Sequence, residues 1–140
     1  MYTYKYPRPA LTADIVLFDN EGTQVLLVLR GNDPYKGCWA FPGGFFDMED
    51  ADIEHTAARE LMEETGLTDI QLQMVTVASR EGRDPRGRTV TVAFMGKVDP
   101  SKVTPKGGDD AREARWFSLE ELPPLAFDHA EILEKAIRMI

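Results

Sequence analysis

Glu60, Glu63 and Glu64 stand three and four residues apart, and on an α-helix that spacing turns side chains to one face. Three carboxylates gathered there repel one another. The repulsion is tolerable on a solvated surface, and it is relieved where a hard divalent cation takes carboxylate oxygens as ligands, keeps several waters and accepts substrate phosphates as further ligands. An acidic run on a helix is more often a solvated face, and Glu63-Glu64 alone would be read that way. The pair Gly43-Gly44 upstream adds a second element, because a backbone without Cβ can approach a phosphate closely or offer its carbonyl to a metal. Together these residues point to metal-assisted chemistry on a phosphate-bearing substrate.

The elements that must position them are legible. Ile53, Ala57, Leu61 and Thr65 recur at helical spacing and Gly66 follows where a helix stops, which predicts a helix from Asp52 with Asp52 as its cap. Leu11 to Phe18 and Gln24 to Leu29 read as strands, joined by the turn residues Asp19-Asn20-Glu21-Gly22 into a hairpin. Gln71 to Ala78 and Thr89 to Val98 read as strands, with the charged stretch Arg80 to Arg88 between them. Ser118 to Glu121 and Asp128 to Glu131 carry capping-box spacing, the first for a short helical turn and the second for a C-terminal helix. Strands mixed with helices predict an α/β layered domain with a mixed sheet.

Composition bounds the rest. At 140 residues with 43% hydrophobic content and no repeat or linker, residues 1–140 read as a single domain. The formal charge of -8 disfavours a nucleic-acid binder, which needs positive surface to release counterions. Cys38 is the sole cysteine, which excludes an intrachain disulfide and a zinc site built of several thiolates. No stretch has the length of a signal peptide's apolar run or of a membrane span. A cytoplasmic protein without membrane or nucleic-acid partners is the expectation.

The stretch Arg59-Glu60-Leu61-Met62-Glu63-Glu64-Thr65-Gly66-Leu67 resembles the second half of the Nudix signature: Arg-Glu, an aliphatic, any residue, Glu-Glu, any residue, Gly, an aliphatic. Cys38 to Gly44 resembles that family's approach to its box. The first half departs. After five intervening residues Gly44 is followed by Asp50 where the signature has Glu, and eight residues instead of seven separate Asp50 from Arg59; counted back from Arg59, Ala51 takes the Glu position. One residue inserted before the helix cap accounts for this, and either Glu49 or Asp50 remains to brace Arg59.

The resemblance implies an α/β/α sandwich and a role for Glu60, Glu63 and Glu64 in binding Mg²⁺, or Mn²⁺ in its place, with Glu64 foremost and Arg59 holding the carboxylates. It also implies that Asp110, six residues before Trp116, binds metal or activates water; read alone, Gly107 to Asp110 is equally a surface turn. Gly43 and Gly44 would meet the diphosphate. Arg83 and Arg86 lie in Arg83-Asp84-Pro85-Arg86, a segment that by itself suits a soluble hairpin tip. Guanidinium groups grip phosphate bidentately. This segment, with Gly43 to Asp47 and Ala126 to His129, is similar to those of ADP-ribose pyrophosphatases and of Nudix domains in NAD-related regulators, which implies a substrate clamp. His129 itself reads as an ordinary first-turn residue, His55 as an exposed one, and Cys38 as a small buried group.

The implied activity is hydrolysis of ADP-ribose to AMP and ribose 5-phosphate. Two alternatives stand beside it: a Nudix enzyme acting on nucleoside triphosphates, and a non-catalytic ADP-ribose sensor. Retention of all three glutamates favours an enzyme, as does the lack of room for an added DNA-binding domain. Enzymes of this look are commonly homodimers.

Overall fold

The computed structural model describes residues 3–103 and 111–140. Among these described residues seven strands and two α-helices follow in the order β1 (Ala10–Asp19), β2 (Gln24–Arg30), β3 (Trp39–Ala40), β4 (Gly43–Phe45), α1 (Ile53–Thr65), β5 (Gln73–Ala78), β6 (Thr89–Val98), β7 (Ala111–Ser118) and α2 (His129–Ile137), with a 3-10 turn at Pro100–Lys102 between β6 and β7. The strands form one mixed sheet in the order β3-β2-β1-β6-β5, with β4 on β1 and β7 on β2. β1 and β6 run parallel from Ala10↔Thr89 to Asp19↔Val98. β1 pairs antiparallel with β2 only at Phe18↔Val25, and with β4 at Thr12↔Phe45 through Asp14↔Gly43. The splaying of β1 away from β2 thus makes room for the glycine pair beside the middle of the sheet.

Alternation along β1 divides the interior into two layers, since successive side chains of a strand point to opposite faces. Ala13, Ile15 and Leu17 pack with Ala57 and Leu61 of α1. Val16 and Phe18 pack with Ile132, Leu133 and Ala136 of α2. The expected α/β/α sandwich is thereby realised. Among the described residues no helix is long and apolar enough to cross a membrane.

Several local expectations are met and several corrected. Asp52 caps α1 by accepting from the His55 N–H at 2.7 Å, and the His55 ring accepts from the Ala51 N–H in return. Gly66 ends the helix at φ 77°, with its N–H on the Met62 carbonyl; there a Cβ would be strained. Ser118 to Glu121 forms a turn after β7 and not a helix, because Ser118 remains paired to Gln24 in the sheet. Asp128 precedes α2, but its side chain makes no capping bond; it is engaged elsewhere. Cys38 is half-buried.

Candidate functional site

The loop between β4 and α1 carries the added residue, and Asp50 is what it delivers. Its carboxylate takes two parallel hydrogen bonds from Arg59, Nε to Oδ1 and Nη2 to Oδ2, both 2.9 Å. The Asp50 carboxylate also accepts from the Thr56 hydroxyl and the Asp47 N–H. Bidentate charge-assisted pairs of this kind fix geometry as well as adding energy. The guanidinium beside Asp50 holds that carboxyl well below the usual carboxylate range, and Asp50 in turn raises Arg59. Arg59 is thereby aimed: Nη1 meets Glu60 Oε1 at 2.9 Å and lies 3.6 Å from Glu63, while Nη2 reaches the Phe45 carbonyl. Bracing by Asp50, one of the two acids expected from the sequence, is what the structure shows; Glu49 is exposed.

Glu64 is different. Burial, then the neighbouring Glu60 charge, push its carboxyl up to about 8, against one favourable hydrogen bond from the Gly43 backbone. Its Oε2 is buried and meets no donor. A buried acceptor left without a partner costs about 1–3 kcal/mol, so such an atom needs an explanation. Glu60 is also raised by burial. The glycine pair is tied to these acids sterically: a Cβ on Gly44 would collide with the Glu60 carboxylate, and one on Gly43 with the Ala13 carbonyl and, at 2.6 Å, with Asp14 Oδ1. The first clash could be relieved by a flexible side chain, the second not. Among the described residues no three groups close on one point as a finished metal cage, since Glu60 and Glu63 lean on Arg59. The donor set nonetheless consists of carboxylate oxygens, the ligands that Mg²⁺ prefers, and the orphaned Glu64 oxygen fits a cation.

These groups line a cleft of about 630 Å³ that also receives Asp14, Arg83, Arg86, Phe127 and His129, a volume suited to a small-molecule ligand. Arg83 is buried and already held: Nε and Nη2 bond the two Asp128 oxygens at 2.9 and 2.7 Å, and Nη1 reaches the Thr89 carbonyl. A substrate clamp at Arg83 would require that pair to open, because its fork is occupied by the carboxylate expected to cap α2. Arg86 is bonded to Asp84 at 3.1 and 2.8 Å and keeps 44% of its side chain exposed. Asp110 lies outside the described residues.

Two residues at the site were not expected from the sequence. His129 is buried, not an ordinary first-turn residue. Its ring stacks on Phe41 at 4.5 Å and its Nδ1 accepts the Phe41 N–H, which leaves Nε2 to face Asp14 Oδ2 at 3.7 Å. Asp14 also accepts the Thr91 hydroxyl at 2.6 Å. Burial opposes the charge on Asp14, and His129, Thr91 and Arg83 more than offset it, so the carboxyl lies below its ordinary value. The signal was present: His129, Ile132, Leu133 and Ala136 form one helical stripe, and Asp14 interrupts the apolar run of a strand that is buried from Thr12 onwards.

A NUDIX domain model matches residues 8–136. The ADP-ribose pyrophosphatase of Methanocaldococcus jannaschii is 39% identical over 133 residues, 95% of this chain and 76% of that protein. The ADPR responsive transcriptional repressor NtrR of Acinetobacter baylyi is 37% identical over 136 residues, 94% of this chain but 54% of its own length, so this chain spans about half of that regulator. The NUDIX domain of Shewanella oneidensis NrtR, solved with ADP ribose, superposes with a TM-score of 0.87 at 32% identity and covers 99% of this chain and 93% of that one. A box helix braced by Arg59, matched across nearly the whole length by such relatives, leaves one assignment: the chain belongs to the Nudix family.

Proposed function

We propose that the protein hydrolyses the diphosphate linkage of a nucleoside diphosphate derivative, with ADP-ribose its leading substrate and AMP and ribose 5-phosphate its products. The observation that carries this reading is Glu64 Oε2, buried without a donor beside Glu60 and Gly43 in an open cleft. An atom so placed suits a cation better than a solvated acidic face. Glu60, Glu63 and Glu64 would hold Mg²⁺ or Mn²⁺, with Asp110 a further ligand or the base. A bound cation would neutralise the carboxylates and polarise the diphosphate oxygens. Arg59, locked by Asp50, keeps Glu60 and Glu63 turned towards the site. Gly43 and Gly44 let the chain pass close to the phosphates. Arg86 presents a part-exposed guanidinium to the substrate.

The choice of ADP-ribose rests on the names of the relatives, one a pyrophosphatase and one a domain solved with that nucleotide. The second relative makes an ADP-ribose sensor the alternative; the retained glutamates, one with an orphaned oxygen, favour catalysis. We further take residues 1–140 as one cytoplasmic Nudix domain with a nucleotide-type substrate and no nucleic-acid or membrane partner. Met74 and Val77, exposed on the edge strand β5, give a homodimer apolar surface to bury, which light scattering would test. The activity test is a panel of nucleotide sugars, dinucleotides and nucleoside triphosphates with Mg²⁺, scored for AMP or phosphate. ADP-ribose should give the highest kcat/KM. A better triphosphate would overturn the substrate, and tight ADP-ribose binding without turnover would make the protein a sensor.

A further inference from the structure

β3 and β4 are two and three residues long, too short to fix their own place, and Gly43 at the head of β4 supplies the backbone hydrogen bond that favours the Glu64 carboxylate. The segment must therefore be held by its neighbours. Trp39 is tied to the stretch before α2, its N–H donating to the Pro124 carbonyl at 3.0 Å and its carbonyl accepting from the Ala126 N–H at 2.8 Å. The Pro42 carbonyl accepts from the Ile15 N–H at 2.8 Å. Pro42 has no N–H to donate, so the amide of Phe41 is the last donor before Gly43. That amide is buried, and its acceptor is a side chain from 88 residues away, His129 Nδ1 at 3.2 Å. A buried main-chain N–H without an acceptor is costly, so this bond holds the chain where it is.

The other wall against Gly43 is Asp14. The two are partners in the pairing of β1 with β4, and Asp14 Oδ1 lies 2.6 Å from where a Cβ on Gly43 would stand. Asp14 Oδ2 accepts the Thr91 hydroxyl and faces His129 Nε2 at 3.7 Å. A ring nitrogen that accepts a hydrogen bond carries no proton, so the N–H of this imidazole is on Nε2, the end turned to the carboxylate. One ring thus joins the amide upstream of Gly43 to the side chain packed against it, and stacking on Phe41 at 4.5 Å fixes its plane. We propose that His129 is a positioning residue for the reaction: Nδ1, free to accept because Asp14 draws the ring proton to the other nitrogen, sets the Phe41-Pro42-Gly43 backbone against Glu64 and so the Glu64 carboxylate within the cleft. The inference rests on the reading of Glu64 as a cation ligand. The contacts run from α2 through Phe41 and Gly43 to Glu64, which makes the C-terminal helix part of that site although it supplies no ligand. Removing a partner one step behind a metal ligand costs roughly ten- to a hundredfold in affinity or activity; His129 acts from further back, at the lower end of that range.

Titration with Mn²⁺, followed by electron paramagnetic resonance, reads the effect without turnover. His129→Asn keeps an acceptor at the place of Nδ1, whereas His129→Gln reaches towards Asp14 and leaves the Phe41 amide unmet. Mn²⁺ should bind His129→Asn within about threefold of wild type and His129→Gln about tenfold more weakly. At saturating metal, His129→Gln should lower kcat on ADP-ribose by about tenfold and change KM by less than about twofold, since a displaced carboxylate harms the reacting geometry more than substrate binding. His129→Leu should behave as His129→Gln; if it fails to fold, the two polar variants still decide the matter, because they differ chiefly in where the acceptor lies. With two histidines in the chain, imidazole ¹⁵N spectra should show His129 as the Nε2–H tautomer. The Nδ1–H form, equal Mn²⁺ affinity in wild type and both polar variants, or an equal loss in His129→Asn and His129→Gln would overturn the proposal. The expected order of affinities in a protein that hydrolyses no diphosphate would uphold the positioning and sink the activity. Mn²⁺ that binds wild type no better than Glu64→Gln would sink the cation reading, and the proposal with it.

Discussion

Two charged regions of this molecule look alike as sequence and differ in what they have left over. In the loop carrying Arg83 and Arg86 both cations are matched, Arg83 by Asp128 at the start of α2 and Arg86 by Asp84 within the loop. The box helix is balanced on one side only. Arg59 absorbs Asp50 and shares Glu60, whereas Glu64 buries an oxygen that no donor meets. Function is carried by the surplus, and a surplus becomes visible only when the partners are known. Arg83 illustrates the point: as sequence it is one of several cations in an acidic chain, but in the fold it fastens the loop to the start of α2.

The comparison breaks most sharply at Glu64. Glu64→Gln keeps the shape and removes the charge, and turnover should fall at least about a hundredfold, up to about ten thousandfold; full activity in this variant, or in excess EDTA, would mean that the orphaned oxygen does not serve a metal. Next comes Arg83. Removing one partner of a buried pair strands the other, so Arg83→Ala should cost roughly 3 kcal/mol of stability, read by urea denaturation. Arg86→Ala should leave the urea midpoint nearly unchanged and raise KM by about tenfold. An unfolding curve for Arg83→Ala that overlays wild type would return Arg83 to the role of clamp.

Asp50 sharpens the contrast from the balanced side. Asp50→Asn removes the charge that orients Arg59, and metal affinity should drop by roughly ten- to a hundredfold, seen by titration with Mn²⁺; unchanged affinity would show that Arg59 holds its place without help. The smallest effect concerns the metal-free fold. Glu64 titrates near 8 when folded, against an ordinary 4.5, so as pH climbs from 4.5 to 8 the unfolded chain ionises first and stability declines, reaching its full penalty above 8. Glu64→Gln lacks this penalty. In EDTA at pH 8.5 it should therefore exceed wild type by on the order of 2 kcal/mol, a figure reduced because the side chain is part-exposed, while at pH 4 the two should match. Mg²⁺ should close the gap by binding wild type alone.

Local patterns were readable before any coordinates. The stripe and caps of α1 rest on residues within one or two turns of each other, and so does the placement of the extra residue before Asp52. The pairing of β7 with β2 and of β4 with β1 depends on residues far apart in the chain, and neither leaves a mark in its own segment. The same holds at the site. His129 meets the Phe41 amide across 88 residues, and only its place in the apolar stripe of α2 hinted that it faces inward.

The parallel ladder of β1 and β6 has a further consequence. Thr12 and Thr91 are 79 residues apart, and every rung between the two strands shares that offset. Closing such a long loop costs chain entropy before any contact offsets it, so the middle of the sheet forms late and folding belongs to the slower range for domains of this size. During synthesis β1 leaves the ribosome first and its principal neighbour follows only once Val98 has been added. Until then β1 has β2 and β4 to pair with on one edge only and its other edge stays open along its whole length, which is the interval in which a nascent chain is most exposed to aggregation.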